Sequence, residues 1–451
     1  MNLKIETQSR MNHLAKQLYR MTWPMIFGVL ALMSFQLIDS AFIGQLGVVP
    51  LAVQGFTMPV QMVMIGLQVG LGIATTAVIA KALGAHQQRY AKQLGALIVT
   101  MGGAGMALIC VVIYFLRGVI LPLLGADHSV ESIVDSYWLW WLGSVWLSAF
   151  IYFLYSVSRA NGNTKLPGLV MVLTSLLNLA LDPLFIFVFH LGINGAAIAT
   201  IIAFAIGIAI VAPKILAQHW VLFDWHDLNI KRSLLDILHI MGPAMLSQLM
   251  PSISSMLATK LLASYGTAAV AAWALGARYE LFSIVAILAL TMSLPPFVSR
   301  LLGQRKIADI RALVHCAVIF VLGFQLLIAL ITFAIAPLLT QVMTSAETVA
   351  QILHNYLLIV PFSFGLLGTC MIMVSVANAL GKSYVALIIS ILRLFVFYLP
   401  CLWVGAYLGE LYGAFFGALV GNLLAGIAAY AIYVKTLNKL THSIPANAAT
   451  Q

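Results

Sequence analysis

Phe35-Gln-Leu-Ile-Asp-Ser-Ala-Phe-Ile-Gly44 sets a carboxylate, Asp39, in the outer part of a long apolar segment. A charge at the bilayer centre costs roughly 2.5–3.5 kcal/mol on insertion scales. A chain that carries one there uses it for ions or protons, unless the side chain snorkels to the head groups. A second acid, Asp182, falls at the same depth by residue count and favours the first reading.

Composition agrees with a membrane location. Of 451 residues, 62% are hydrophobic and 8% charged, with a mean hydropathy of +1.04, a balance that excludes a soluble domain. The first twenty residues are polar and basic and run into a full-length apolar span, so no cleavable signal is expected. Cys110, Cys316, Cys370 and Cys401 are scattered through apolar runs without ligand spacing, and read as small core residues. The net charge of +10 reads as basic cytoplasmic loops, not as a nucleic-acid surface.

A crossing needs ~20 apolar residues. On that ruler the chain predicts about twelve spans, at 17–45, 51–80, 94–122, 132–156, 166–189, 193–216, 238–263, 268–298, 312–339, 350–378, 384–406 and 411–436. With the N-terminus in the cytoplasm, every Lys and Arg except Arg117, Lys260, Arg278 and Arg393 falls in an inner segment. The expected topology therefore has both termini in the cytoplasm of a bacterial inner membrane. The stretch from Leu216 to Ile230, with Trp220, Phe223 and Trp225 among Asp224, His226 and Asp227, reads as interfacial.

Two halves repeat. Pro24 matches Pro243, Gly47 matches Gly266, and Leu83-Gly84 matches Leu302-Gly303; Ser158-Arg-Ala-Asn161 matches Ser375-Val-Ala-Asn378, and the prolines at 183 and 400 correspond. The offsets hold near 217–219. Six spans per half give both halves one orientation, a parallel repeat with a cavity expected between two lobes. The expected organisation is an N-terminal lobe over 1–215, an interfacial linker over 216–237, a C-terminal lobe over 238–436 and a tail over 437–451. The acids are not repeated, since Asp39 aligns with Ala258 and Asp182 with Leu399. Chemistry is thus expected in the N-terminal lobe alone.

Asp39 in span 1 and Asp182 in span 5 both lie ~10 Å below the outer rim at 1.5 Å per residue. Asn178 sits one turn deeper on the face of Asp182, and Thr200 in span 6 and Tyr137 in span 4 reach the same level. Individually, Asn178, Thr200 and Tyr137 are also explained by ordinary interhelical hydrogen bonds. Two carboxylates in a low-dielectric site are not both ionised without a cation between them, which makes this a proton site or a Na⁺ site of hard oxygen ligands. Pro24 weakens span 1, either as a static kink or as a hinge. Arg278 and Glu280 in span 8 and Arg393 in span 11 read as a compensating charge group in the second lobe.

Twelve spans in two lobes, Pro24 and Asp39 in span 1, the Asn178–Leu181-Asp182-Pro183 motif and the Ser-Arg-Ala-Asn-Gly-Asn163-Thr-Lys loop resemble the multidrug and toxic compound extrusion (MATE) family, and within it the DinF-like branch. The resemblance implies an all-α polytopic membrane protein of two parallel six-helix lobes. It implies cation-coupled export of amphipathic, often cationic, drugs, with Asp39, Asn178, Asp182 and Thr200 as the cation site, Tyr137 as its neighbour and Pro24 as the span 1 bend. A second branch of the family carries acids in spans 7 and 10, which here have none. The leading expectation is a monomeric, proton-driven multidrug antiporter in the lipid bilayer with no cofactor. Na⁺ coupling is the alternative. A lipid-linked precursor flippase fits less well, because its cavity needs cations that this chain keeps in loops. No HExxH or Gly-x-Ser-x-Gly motif points to an enzyme.

Overall fold

Without water to take up backbone N–H and C=O groups, an apolar chain closes those bonds within helices. The computed structural model describes residues 2–123 and 128–443, with no strand among them. Span 1 is Asn2–Gln45 and span 2 is Val48–Gly84. Span 3 (88–123) contains a π-helical turn at Ile98–Gly102 and a break at Leu116. Span 4 is His128–Ala160 and span 5 is Lys165–Val188, ending in a π-helical turn at Leu184–Val188. Span 6 is Gly192–Ala217, span 7 is Ile230–Ala263, and span 8 (267–303) is interrupted at Ile284. Span 9 is Ile307–Met343, and span 10 is Glu347–Ala379 with a 3₁₀ turn at Val360–Ser363.

The last helical stretch, Ser383–Thr441, has 59 residues, more than two crossings require. Its backbone leaves helical geometry at Gly409 (φ −150°, ψ 30°) and Glu410 (φ 53°, ψ −139°). On either side of that point the limbs pack back on each other. A Cβ on Gly413 would run into the Gly405 carbonyl, one on Gly417 into the Cys401 carbonyl, and one on Gly421 would lie 2.8 Å from the Tyr398 Cα. Each step forward along one limb is matched by a step back along the other, so spans 11 (383–408) and 12 (411–443) form an antiparallel hairpin closed by small residues. Among the described residues, eleven helical stretches thus make the twelve crossings expected from hydropathy.

The chain packs as two units, Met21–Met245 and Met1–Arg20 with Leu246–Gln451. Both divisions fall inside helices, spans 1 and 7. Leu14 and Leu18 are buried in the core of the second unit with Leu290, Leu294 and Leu313. The stretch after span 6 belongs to the first unit because it docks on the start of span 3. The Leu222 N–H donates to the Lys92 carbonyl (3.0 Å) and Gln93 Nε2 to the Asp224 carbonyl (2.8 Å). Arg89 pairs with Asp224 and Asp227. The His226 backbone N–H and the Arg89 guanidinium hold the Asp224 carboxyl below the usual carboxylate range.

The repeat is visible in the backbone. Left-handed residues recur 219 residues apart, at Gly47 and Gly266, His86 and Arg305, and Gly162 and Gly381, and at 220 for His190 and Glu410. Gly47 (φ 111°) and Gly266 (φ 104°) open spans 2 and 8 in conformations that L side chains rarely adopt. Turns of one shape therefore recur at matching places in the two halves.

Candidate functional site

Spans 1 and 5 run in the same direction and touch in constant register. Thr164 Oγ1 donates to the Met21 carbonyl at 2.8 Å, a pair 143 residues apart. One turn on, a Cβ at Gly168 would lie 2.5 Å from the Pro24 carbonyl oxygen, and a Cβ at Gly28 would lie 3.2 Å from that of Met171. Asp39 and Asp182 are also 143 residues apart, and the two carboxylates interact electrostatically. Tyr137 of span 4 lies within reach of the Asp39 charge. The register that fits glycine against proline near one end of the helix pair thus sets the two acids beside each other near the other.

Asp182, Asn178 and Tyr137 are buried, and Asp39 and Thr200 half-buried. Asn178 Nδ2 donates to Thr200 Oγ1 (3.0 Å), whose own hydroxyl donates to the Ala196 carbonyl (3.0 Å). That chain spends the Thr200 hydroxyl and one Asn178 N–H and leaves the Asn178 Oδ1 as an acceptor. Asp39 Oδ1, Asn178 Oδ1 and both Asp182 carboxylate oxygens are buried without a hydrogen-bond donor among the described residues. Buried acceptors are normally satisfied. A cluster of orphan oxygens with two negative charges fits a proton or a hard cation such as Na⁺. No group of three His, Cys, Asp or Glu suited to a metal ion is found among the described residues, so a Na⁺ here would draw on the amide and hydroxyl oxygens as well. The outer wall is closed by the π-helical turn after Pro183, since a Cβ at Gly195 of span 6 would lie 2.6 Å from the Phe185 carbonyl.

Span 1 stays helical through Pro24. Proline has no N–H for the Arg20 carbonyl, and the next carbonyl, that of Met21, takes a hydrogen bond from Thr164. The weakened turn is therefore held by span 5.

In the second unit, Glu280 lies within hydrogen-bonding reach of Tyr356 OH (3.4 Å) and in the field of Arg393. Tyr279 shares a hydrogen bond with Thr332 close by. Arg393 stands in the π-helical turn Leu392–Tyr398, its Nε buried without a partner. Arg278 is exposed, and two residues along a helix turn it about 200° away from Glu280.

Three features escaped the sequence reading. Ser175 is buried with an unpartnered Oγ on the face of Asn178 and Asp182; its i−3 spacing from Asn178 was the available signal. The Thr164 and Gly168 clamp on span 1 left no signal in either helix alone. Arg159, read as a loop cation, is 4% exposed, donates to Ser156 Oγ (2.8 Å) and lies over the Tyr152 ring at 5.0 Å.

The MatE family model matches residues 24–184 and again 243–404, two copies starting 219 residues apart. The chain belongs to the MATE family. The Vibrio cholerae MATE transporter VcmN, crystallised in the bent form, is 64% identical and superposes with a TM-score of 0.95 over 97% of this chain and 100% of its own. A Shewanella oneidensis protein named FAD transporter is 28% identical over 92% of this chain and 94% of its own. The Staphylococcus aureus multidrug export protein MepA is 24% identical over 84% of each chain. Like other MATE proteins, this chain is a multi-pass membrane transporter with the MATE fold. MATE proteins are transporters, not enzymes.

Proposed function

We propose that this MATE protein, placed in the DinF-like branch, exports amphipathic, often cationic, compounds from the bacterial cytoplasm in exchange for protons. The observation that carries the reading is the set of donor-free buried oxygens on Asp39, Asn178 and Asp182. With one acid protonated, its O–H donates to the other carboxylate and Asn178 Oδ1 keeps a polar neighbour. With both ionised, like charges oppose each other in a low-dielectric site. Gain or loss of one proton therefore changes how strongly spans 1 and 5 attract at their outer ends, and the Pro24 turn is where span 1 yields. Were Na⁺ the coupling ion, Asp39, Asp182, Asn178 and Thr200 would hold it, and it would supply charge neutralisation. The test is ethidium uptake into inverted vesicles under separately imposed pH and Na⁺ gradients. Uptake driven by the Na⁺ gradient alone overturns proton coupling.

The Shewanella relative favours a second reading, export of a flavin dinucleotide. Gradient-driven uptake of labelled FAD into the same vesicles, with no ethidium movement, decides for it.

A further inference from the structure

Within the first unit lies a cavity of about 230 Å³. Leu67 and Leu71 of span 2, Met101 and Met106 of span 3, and Leu234 and Leu238 of span 7 are among its lining, and every lining residue is apolar or glycine. Two local departures keep it open. The π-helical turn Ile98–Gly102 widens span 3 along the wall. At Gly105 an added Cβ would meet nothing within 4 Å. Apolar cavities smaller than this stay dry and take hydrocarbon-like ligands. Met101 and Leu238 are each about half exposed, so a ligand has a route in.

The charge beside the cavity narrows the choice. Along span 7, Lys231, Leu234, Leu238 and Met241 recur at i, i+3, i+7 and i+10, which is one helix face. Lys231 continues the lining stripe at the basic end of the helix, ~5 Å along the axis from Leu234. It is exposed and has no ion-pair partner among the described residues. No carboxylate lines the cavity. A cationic drug would meet the ammonium head on, whereas an anionic head group is attracted by it.

We propose that this cavity binds an acyl chain of an anionic phospholipid from the leaflet at the basic end, with its phosphate held by Lys231. The chain would brace the first half of span 7 against spans 2 and 3. Spans 2 and 7 already touch beside it, where a Cβ at Gly70 would lie 3.1 Å from the Met241 carbonyl.

The test uses the full-length protein in phosphatidylcholine vesicles carrying a photoactivatable phosphatidylglycerol with a diazirine in its acyl chain, with cross-links mapped by mass spectrometry. The expected result is labelling at Met101, Leu238 and Met241 above the outward-facing Leu108 and Val112 of the same span 3. Gly105→Leu, which fills the cavity, loses the first set and keeps the second. Lys231→Ala, an exposed substitution that leaves packing alone, lowers phosphatidylglycerol labelling to that of a phosphatidylcholine probe. Equal labelling by both probes in the unmodified protein overturns the assignment, as does persistence in Gly105→Leu. Labelling by a diazirine fatty acid as strong as by phosphatidylglycerol overturns the phospholipid, and displacement by ethidium makes the cavity a drug site.

Discussion

Gly168 of span 5 sits against the carbonyl of Pro24 in span 1, so closely that a Cβ would come within 2.5 Å of the oxygen. The one carbonyl in this turn freed by proline is that of Arg20, and the backbone there has lost a rung of its ladder. A glycine opposite lets span 5 approach that turn directly.

Gly168→Ala is therefore expected to separate spans 1 and 5 at this level. Overpacking of this kind costs about 1–3 kcal/mol. Thermal unfolding in detergent should show a lower midpoint, and efflux should fall further than stability alone explains, because the same register sets Asp39 beside Asp182. An unchanged melt with normal efflux would show that span 1 does not need the close approach.

Asp39→Asn and Asp182→Asn keep side-chain shape and remove the exchangeable proton. Each should fold and abolish coupled efflux in vesicles. Ala258→Asp, in the second copy of the repeat, should rescue neither, since Ala258 is packed in an apolar core. Wild-type efflux in a well-expressed Asp39→Asn protein removes Asp39 from the coupling path.

Pro24→Ala restores the N–H that the Arg20 carbonyl lacks and should fold at least as well as the parent, proline being ~3 kcal/mol less favourable than alanine inside a helix. It should transport poorly, and its affinity for drug should lose pH dependence, because a span 1 with its hydrogen-bond ladder restored no longer yields when Asp39 gains or loses a proton. Binding to purified protein across a pH series, beside vesicle efflux, checks both. Normal transport with the full pH dependence would make the proline bend static.

Asp224 ties the stretch after span 6 to Arg89, outside the membrane-spanning segments. Its carboxyl lies below the ordinary range when folded, so its contribution is fully present above the unfolded value, roughly pH 4, and is lost as pH falls through the lowered folded value. Asp224→Asn should loosen this stretch at neutral pH, read as faster protease cleavage between 218 and 229. The parent protein should resist cleavage at neutral pH and down to about pH 4. Equal cleavage of both proteins at neutral pH would show that the hydrogen bonds from the Leu222 N–H and the Gln93 side chain suffice.

Hydropathy carried the twelve crossings, because length and apolarity are properties of each segment alone. The duplication was legible for the same reason, as Pro24 and Pro243 or Gly47 and Gly266 are local requirements written twice. The depth of Asp39, Asn178, Asp182, Thr200 and Tyr137 could be counted along each helix. Which faces meet could not be, because a uniformly apolar helix has no polar stripe to mark its buried side. Only the tertiary structure set the constant register of spans 1 and 5, brought Ser175 into line with Asn178, turned Arg278 away from Glu280 and buried Arg159. Each of these depends on how closely two backbones approach, and in lipid that is decided by the fit of small residues such as Gly168 and Gly28 against a neighbouring helix.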